Sequence, residues 1–293
     1  MKTSIVYYSG DECVYISDLP HFDMKQIMDS GQCFRIREIP ATDGDTARSF
    51  SVCHTHHHVK VDEMRNAGEF RFHCTARSFH NIWFRYFDLG NDCYEKVRKV
   101  LDERPDPFLE KALQYGSGIR ILNQGFLEAL LCFMTSQNNN IKRITDSVDA
   151  MCKKYGHRRV DRGVEYYALP ISPTLLDGNF EELGLGYREA YFRELFSREN
   201  FGRYNAWHDR VLRAFYPESK KVLMEAKGIG SKVADCICLY GLHQLEAYPV
   251  DTWMKKIIAD VYDGHFDPTV FGDCAGYVQQ LQFYYYRSMA KSA

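Results

Sequence analysis

The sequence has no long apolar run, since no hydrophobic stretch approaches the roughly 20 residues that a membrane-spanning helix requires. Its first residues, MKTSIVYYSGDECVYI, are interrupted by charged and polar side chains and do not have the pattern of a signal peptide. The chain also lacks internal repeats and low-complexity segments. We therefore expect a soluble intracellular protein that makes no contact with a membrane.

An excess of either charge is absent as well, because 37 Lys and Arg residues face 39 Asp and Glu residues. If the protein binds nucleic acid, the positive charge must be concentrated locally. The ten cysteines are scattered along 293 residues, which indicates free thiols in a reducing compartment rather than a disulfide framework. Aromatic residues make up 14% of the chain, as expected of a packed globular protein long enough for two domains.

The hydrophobic period changes along the chain, from strand-like to helical. The first third alternates apolar and polar residues or is rich in β-branched and aromatic residues, as in VYYSGDECVYI, CFRIREI, SFSVCHTHHHVKV and EFRFHC, with a short helix predicted near HFDMKQIMDSG. From about residue 93 the spacing becomes helical, clearly so at 126–134 and 141–151. We therefore predict an α+β fold, with a β-rich domain over 1–112 and an all-helical domain over 113–293.

One segment, residues 219–251, reads as a helix, a glycine turn, a second helix and a loop that ends in an aspartate. Gly228 and Gly230 give a turn in which two residues are free to adopt positive φ, and Ser231 is a suitable N-cap for the next helix. Backbone N–H groups at such a helix start suit a phosphate. The same pattern is also typical of an ordinary helix–turn–helix connection.

Lys232 falls in the first turn of that second helix, where the helix dipole disfavours a positive charge and thus favours a nucleophilic amine. The alternative is an ordinary solvated lysine. Asp251 precedes the apolar helix face formed by Trp253, Ile257 and Ile258, and is therefore a predicted N-cap. An N-cap can still take part in chemistry if its second oxygen faces a site.

Lys232, the glycine turn and Asp251 at this spacing resemble the helix-hairpin-helix DNA glycosylases. The segments KGIGSKVADCICL (227–239) and YPVD (248–251) closely resemble the 8-oxoguanine DNA glycosylase/lyases among them. Four more segments resemble this family in the same order, namely SGQCFR (30–35), SQNNNIKRI (136–144), LGLGYR (183–188) and AGYVQ (275–279) continuing to Phe283. The resemblance implies a sheet domain like that of the TATA-binding protein, followed by a helical domain.

The resemblance implies a bifunctional DNA glycosylase and abasic-site lyase that flips 8-oxoguanine out of duplex DNA and excises it in base excision repair. Lys232 would attack C1′ and form a Schiff base, and Asp251 would stabilise the positive charge that develops on the sugar. Gly31 would accept a hydrogen bond from N7–H of the lesion through its carbonyl group. Gln279 would contact the Watson–Crick edge, with Phe283 and Cys236 packing on the two faces of the base; core packing is the alternative for these last two.

Four further residues would serve the opposite strand. Asn138 would fill the vacated space and Tyr187 would wedge into the stack. Arg143 and Arg188 would hold the orphaned cytosine, although both could equally be solvated charges. Local positive charge comes from a basic stretch that comprises Lys142, Arg143, Lys153, Lys154, Arg158 and Arg159. The expected partner is thus double-stranded DNA with 8-oxoguanine opposite cytosine, bound by a monomer in the cytoplasm at the nucleoid, or in the nucleus of a eukaryote.

Several features depart from the family pattern or remain unexplained by it. Trp253 stands where many relatives have a histidine that touches a phosphate, and Lys227 stands where relatives often have proline. Only Cys274 follows Cys238, so the four-cysteine iron–sulfur cluster of the endonuclease III relatives is excluded, and no cofactor is expected. His54, His56 and His58 would share one face of a single strand, which is either a solvated surface or a metal site.

Two other functions remain open from the sequence. The same scaffold could prefer another lesion, or the chain could be a non-catalytic hairpin module that binds only the DNA backbone. Lys232 together with Asp251 favours an enzyme, because a binding module needs neither residue.

Overall fold

Six strands form one antiparallel sheet in the N-terminal part of the chain, in the order β1-β2-β6-β5-β4-β3. The computed structural model describes residues 4–8 and 13–292. The turn predicted between the first two strands lies outside the described residues. The strands are Ser4–Tyr8 (β1), Cys13–Ser17 (β2), Ile36–Ile39 (β3), Thr46–His54 (β4), His57–Met64 (β5) and Phe70–Phe72 (β6).

The stretch 49–61, predicted as one strand, is instead a β-hairpin. β4 and β5 pair antiparallel with His54 opposite His57, and Thr55 adopts a positive φ of 49° in the turn between them. Because alternating apolar residues continue through both strands, the sequence pattern hides the reversal. The histidines consequently do not share a face: His54 Nδ1 lies 3.4 Å from Glu128, whereas His58 Nδ1 lies 2.8 Å from Asp161. In the part of the chain that the structure describes, no group of three or more His, Cys, Asp and Glu side chains could hold a metal ion.

The rest of the chain is mainly helical. The α-helices are Met24–Asp29 (α1), Ala76–Ser78 (α2), Phe84–Tyr86 (α3), Cys93–Glu103 (α4), Pro107–Tyr115 (α5), Phe126–Thr135 (α6), Ile141–Tyr155 (α7), Ser172–Leu175 (α8), Glu189–Leu195 (α9), Phe201–Arg213 (α10), Glu218–Leu223 (α11), Ser231–Cys236 (α12), Thr252–Tyr262 (α13) and Ala275–Ser292 (α14). Two π-helical segments, Phe79–Trp83 and Ile237–Gly241, and three 3₁₀ segments, Glu181–Leu183, Gly186–Arg188 and Pro268–Cys274, complete the helical structure. No helix among the described residues is both long enough and apolar enough to span a bilayer.

The C-terminal part is not entirely helical, contrary to the prediction. Arg158–Asp161 (β7) and Val164–Tyr167 (β8) pair as a separate two-stranded hairpin after α7. Its strands are short and mostly exposed, so the sequence carries little periodic signal for them. The hairpin contacts the large sheet through Asp161, whose carboxylate lies 2.8 Å from His58, while the other ring nitrogen of His58 lies 2.9 Å from Ser51 Oγ.

Two hydrophobic cores divide the chain at a different point from the predicted boundary. The sheet core includes Phe79 and Trp83, whereas Val97 and Leu101 of α4 belong to the helical core. The predicted boundary between residues 112 and 113 falls within α5, where a helix cannot be divided without breaking its hydrogen bonds. We therefore propose that the boundary between the two units lies before α4.

Residues 30–35 connect the two cores. Phe34 packs in the helical core, and Arg35 is buried 3.6 Å from the equally buried Glu128 of α6. The Gln32 side chain bonds to Arg120 O at 2.9 Å and accepts from Leu122 N at 2.8 Å. This stretch is thereby held firmly between the sheet and the helices, at the edge of the cavity described next.

Candidate active site

The glycine turn joins α11 to α12, as the sequence predicts, but its two glycines differ. Gly228 has a φ of +86°, and a Cβ atom there would lie 2.5 Å from the Tyr191 ring. Gly230 has φ −87° and ψ 177°, is exposed, and has no atom within 4 Å of where its Cβ would lie. Gly230 is the N-cap of α12, so the prediction of a Ser231 cap is wrong, and of the two glycines only Gly228 adopts a positive φ. Gly228 thus allows close packing, while Gly230 leaves the helix start open to solvent.

Lys232 lies in the first turn of α12 with a half-buried side chain. Its Nζ is 3.4 Å from Ser136 Oγ and 5.5 Å from the centre of the Phe133 ring. No carboxylate oxygen of the described residues lies within the 4.0 Å of an ion pair with it. The amine is therefore held by a hydroxyl group and an aromatic face, and is not neutralised by an acid.

Asp251 is the N-cap of α13, as predicted. Its Oδ1 accepts from Met254 N at 2.9 Å, and its backbone is extended with φ −96° and ψ −171°. Oδ2 has no hydrogen bond to any residue that the structure describes. Because Asp251 and Lys232 line the same cavity, this free oxygen is available to a ligand beside the amine.

All six residues predicted to act on the sugar or the base line one small cavity of about 50 Å³. They are Gly31, Lys232, Cys236, Asp251, Gln279 and Phe283. Since one water needs roughly 10–15 Å³ by such a measure, the cavity has room for only a few waters and not for a purine. It adjoins a larger cavity of about 390 Å³, and five residues line both: Gly31, Phe133, Lys232, Asp251 and Phe283. Movement of side chains between the two cavities would admit a base.

Two consecutive glutamines of α14 have different roles. Gln280 donates to Ser30 O at 3.0 Å and accepts from the Tyr240 hydroxyl at 2.6 Å, so it fixes the backbone next to Gly31. Gln279 is only 5% exposed, lines the small cavity, and has no hydrogen bond to the described residues. Its amide group is therefore free to donate to and accept from a ligand in the cavity.

Cys236 and Phe283 provide apolar walls. Burial raises the pKa of the Cys236 thiol to about 11, so the group is neutral at pH 7 and behaves as a small apolar side chain. Phe283 is half-buried, and the guanidinium group of Arg287 lies 4.9 Å from the centre of its ring. Gly31, which faces both Phe283 and Arg287, has a φ of +82° that a larger residue would adopt only with strain.

A second group of predicted residues is assembled around Gln137, a residue of the asparagine-rich segment that the sequence did not single out. Its carbonyl group accepts from Tyr187 Oη at 3.4 Å and from Arg188 Nε at 2.8 Å. Its side-chain amide donates to Gly228 O at 2.8 Å. Gln137 therefore connects the turn after α6, the segment before α9 and the glycine turn.

Arg188 is not a solvated charge but is 4% exposed. Besides Gln137, its guanidinium group donates to Asn138 O at 3.0 Å and Leu185 O at 2.9 Å. Asn138 has a positive φ of 43° and an exposed side chain at the tip of the turn. Arg143, by contrast, is exposed near the start of α7 and makes no side-chain hydrogen bond or ion pair to the described residues. Tyr187 is 55% exposed beside them and lies against Arg188.

Comparison with known proteins adds independent information to this geometry. Residues 15–130 match the family model "8-oxoguanine DNA glycosylase, N-terminal domain". The whole chain also resembles a solved structure, the 8-oxoguanine glycosylase/lyase of Clostridium acetobutylicum in complex with double-stranded DNA that contains cytosine opposite 8-oxoG. That match has a TM-score of 0.86 and 29% identity, and covers 99% of this chain and all of the other. The chain is thus similar to 8-oxoguanine DNA glycosylases, in sequence over residues 15–130 and in fold along nearly its whole length.

Curated N-glycosylase/DNA lyases are also similar to this chain over shorter stretches. The N-glycosylase/DNA lyase of Saccharomyces cerevisiae is 36% identical over 48% of this chain and 41% of its own length. The N-glycosylase/DNA lyase OGG1 of Arabidopsis thaliana is 30% identical over 61% of this chain and 55% of its own. The matched region thus spans less than two thirds of each of these two relatives. The predicted family and the α+β fold class are confirmed.

Trp253 lines the larger cavity. Its indole ring lies 6.2 Å from the Tyr286 ring and 5.4 Å from Lys256 Nζ. An indole N–H can donate only one hydrogen bond and carries no charge, so Trp253 offers little to a phosphate. Sequence reasoning did not identify Arg287, which lines the same cavity.

Proposed function

We propose that this protein is a bifunctional DNA glycosylase and abasic-site lyase that excises 8-oxoguanine from duplex DNA. The observation that carries the proposal is the single cavity lined by Lys232, Asp251, Gln279 and Phe283. A glycosylase needs a nucleophile, an anion for the sugar cation, and hydrogen-bonding and stacking groups for the flipped base. These four side chains supply each of those requirements.

In the first step, the Lys232 amine attacks C1′ of the flipped nucleotide. The C1′–N9 bond breaks with its electron pair going to the base, which takes up a proton and leaves, while the Lys232 nitrogen gives up one proton. The C1′–O4′ bond then breaks, O4′ takes up the second proton of that nitrogen, and the C1′=N bond of the Schiff base forms. β-Elimination then removes a proton from C2′ and expels the phosphate at C3′. Asp251 stabilises positive charge on the sugar through Oδ2, because Oδ1 is engaged with Met254 N.

The base is recognised by groups that point into the small cavity. Gly31 accepts from N7–H, which 8-oxoguanine has and guanine lacks. Gln279 bonds to the Watson–Crick edge, a role supported by its place in the cavity wall and by the absence of a hydrogen bond from its amide to any described residue. Phe283 and Cys236 pack on the two faces of the ring. One lost hydrogen bond costs about 1–3 kcal/mol, so Gly31 accounts for only part of the selectivity.

The surface around Gln137 serves the DNA backbone and the opposite strand. Gly228 and Gly230 let a phosphate approach the start of α12, where N–H groups are exposed. Asn138 and Tyr187 fill the gap and wedge into the stack, as their exposure permits. Arg143 is free to bond to the orphaned cytosine, whereas Arg188 must first release backbone carbonyl groups or else act by shaping the turn.

The substrate is accordingly duplex DNA with 8-oxoguanine, preferentially opposite cytosine, and the enzyme acts as a monomer inside the cell, in the nucleus if the source is eukaryotic. The test is incubation of the purified protein with an 8-oxoguanine:cytosine duplex in borohydride. We expect a trapped protein–DNA adduct, a cleaved strand and released base. Base release without an adduct would contradict the lyase assignment, and binding with neither would indicate a non-catalytic module. Duplexes with other lesions test the preference for 8-oxoguanine.

A further inference from the structure

Arg287 of α14 is a cation beside the proposed reaction site, and none of the described residues offers it a carboxylate or a hydrogen-bond acceptor. Its guanidinium group makes no hydrogen bond and no ion pair within 4.0 Å to any residue in the described ranges. It is nevertheless half-buried, and this burial lowers its pKa, although the carboxylates of Asp251 and Asp29 act in the opposite direction. Partial removal of a cation from water is unfavourable unless an anion or a set of acceptors replaces the lost hydration.

The position of Arg287 is well defined by its neighbours. Its Cζ lies 4.9 Å from the centre of the Phe283 ring, and its Nη1 would be 3.3 Å from a Cβ atom on Gly31. It also lines the 390 Å³ cavity together with Lys232 and Asp251. The guanidinium group therefore lies next to Gly31 and Phe283 of the proposed base pocket and lines the larger cavity that adjoins it.

We propose that Arg287 binds one of the two phosphates that flank the flipped nucleotide, and so positions C1′ in front of Lys232. This inference rests on the proposed function. A planar guanidinium group suits phosphate because two N–H groups can donate in parallel. Stacking on Phe283 leaves the edge of the guanidinium plane available for these bonds. Asp251 influences Arg287 only through its charge and forms no ion pair with it, so a phosphate has no competing carboxylate within 4.0 Å of Arg287 among the described residues.

The test measures binding of the full-length protein to a duplex that carries an uncleavable tetrahydrofuran abasic analogue opposite cytosine. In a series of such duplexes, one phosphate at a time near the analogue is replaced by a neutral methylphosphonate. We expect Arg287→Gln to weaken binding about tenfold or more to the unmodified duplex, as for the loss of a charge-assisted hydrogen bond. The wild type should show a similar loss at one flanking methylphosphonate, where the variant shows no further loss.

If the losses of affinity from Arg287→Gln and from one methylphosphonate are not additive, Arg287 contacts that phosphate directly. A variant with a damaged pocket would instead bind all duplexes more weakly by the same factor. The slope of log Kd against log salt concentration should fall by about 1 for the variant. Arg98→Gln is the matched control, since Arg98 is an exposed arginine of α4 that is paired with Glu95 at 2.6 Å. Arg287→Lys keeps the charge and should restore part of the sensitivity to the methylphosphonate, and it replaces the Gln variant if that variant does not fold.

Equal sensitivity of wild type and Arg287→Gln at every phosphate would overturn the proposal. So would a variant that binds all duplexes normally but excises guanine and 8-oxoguanine at similar rates, since Arg287 would then contact the base. Excision of 8-oxoguanine by the wild type is measured in parallel. If it fails while the methylphosphonate effect is present, the proposed function is wrong and the phosphate contact stands.

Discussion

The amine of Lys232 in α12 lies 3.4 Å from the hydroxyl group of Ser136, which is in the turn that follows α6. This contact connects the proposed nucleophile to the segment that contains Gln137 and Asn138. The segment in turn bonds to Gly228 and Arg188. Distortion of DNA at the wedge can therefore influence the amine through one short stretch of backbone.

Lys232→Gln should abolish both base release and the borohydride-trapped adduct. Binding to 8-oxoguanine duplex should change little, because glutamine keeps a polar side chain of similar length near Ser136. Lys221→Gln is the control, since Lys221 is exposed on α11 and paired with Glu218 at 3.0 Å. Single-turnover excision and gel analysis of the adduct measure both effects. An adduct formed by the Gln variant would place the nucleophile elsewhere.

Gly31→Ala should slow 8-oxoguanine excision and destabilise the fold by roughly 1–2 kcal/mol, the cost of a side chain in the left-handed region. The added methyl group would also lie 3.3 Å from Arg287 and 3.7 Å from Phe283. Gly264→Ala separates the two effects, because Gly264 has a φ of +85° and open space around it. We expect similar losses of unfolding free energy in both variants and slower excision only in the first. Equal excision rates in the two variants would remove Gly31 from the pocket.

Six of the eleven residues that line the small cavity could be predicted from sequence, because each of the six lies in a short segment with several matching neighbours. Gln137 and Arg287 could not, since a role that depends on partners distant in sequence leaves no local pattern. The turn at Thr55 was missed for a related reason: both arms of the hairpin continue the same alternation. Arg188 was predicted as a DNA-binding residue, but its burial could not be predicted. Nothing in the local sequence reveals that its guanidinium group donates to three backbone carbonyl groups.

The two hairpin glycines should respond differently to alanine. Gly230→Ala should fold normally, since its φ of −87° suits any residue and the space is open, yet bind every duplex more weakly because the methyl group obstructs the phosphate. Gly228→Ala should lower the thermal stability as well, because its Cβ would meet the Tyr191 ring at 2.5 Å. Thermal unfolding and salt-dependent binding to undamaged DNA measure the two effects. Unchanged binding by Gly230→Ala would exclude backbone capture of phosphate at α12.

The free energy of unfolding should fall at alkaline pH because buried thiol groups ionise more readily in the unfolded state. Burial raises the pKa of Cys236 to about 11 from an ordinary value of 9.0, so the folded state holds its proton more tightly than the unfolded state. The resulting stabilisation is complete below pH 9 and is lost as the pH rises towards 11. At roughly 1.4 kcal/mol per unit, the thiol contributes about 3 kcal/mol of this dependence.

Cys236→Ala isolates that contribution, since the cavity left by the smaller side chain costs the same at every pH. Urea unfolding in the presence of a reductant, at pH 7 to 10.5, should show a shallower decline for the variant than for the wild type. Cys53 and Cys152, whose pKa values burial also raises to about 11, keep part of the slope in both proteins. Parallel curves for variant and wild type would show that Cys236 ionises freely in the folded state.

Arg143→Ala and Arg188→Ala should separate recognition of the opposite base from construction of the turn. Arg143 is exposed and unpaired among the described residues, so its loss should flatten the preference for cytosine by about 1–3 kcal/mol while the protein stays equally stable. Arg188 bonds to the carbonyl groups of Gln137, Asn138 and Leu185, and its removal leaves these acceptors without their donor. We therefore expect Arg188→Ala to lower the melting temperature and to slow excision opposite all four bases.

Single-turnover excision from duplexes with each base opposite 8-oxoguanine distinguishes the two patterns, with Lys142→Ala as the control for loss of an exposed neighbouring charge. If Arg143→Ala keeps the full preference while a stable Arg188→Ala loses it, the arginine that reads the orphaned cytosine is Arg188, and it must leave its carbonyl partners when DNA binds.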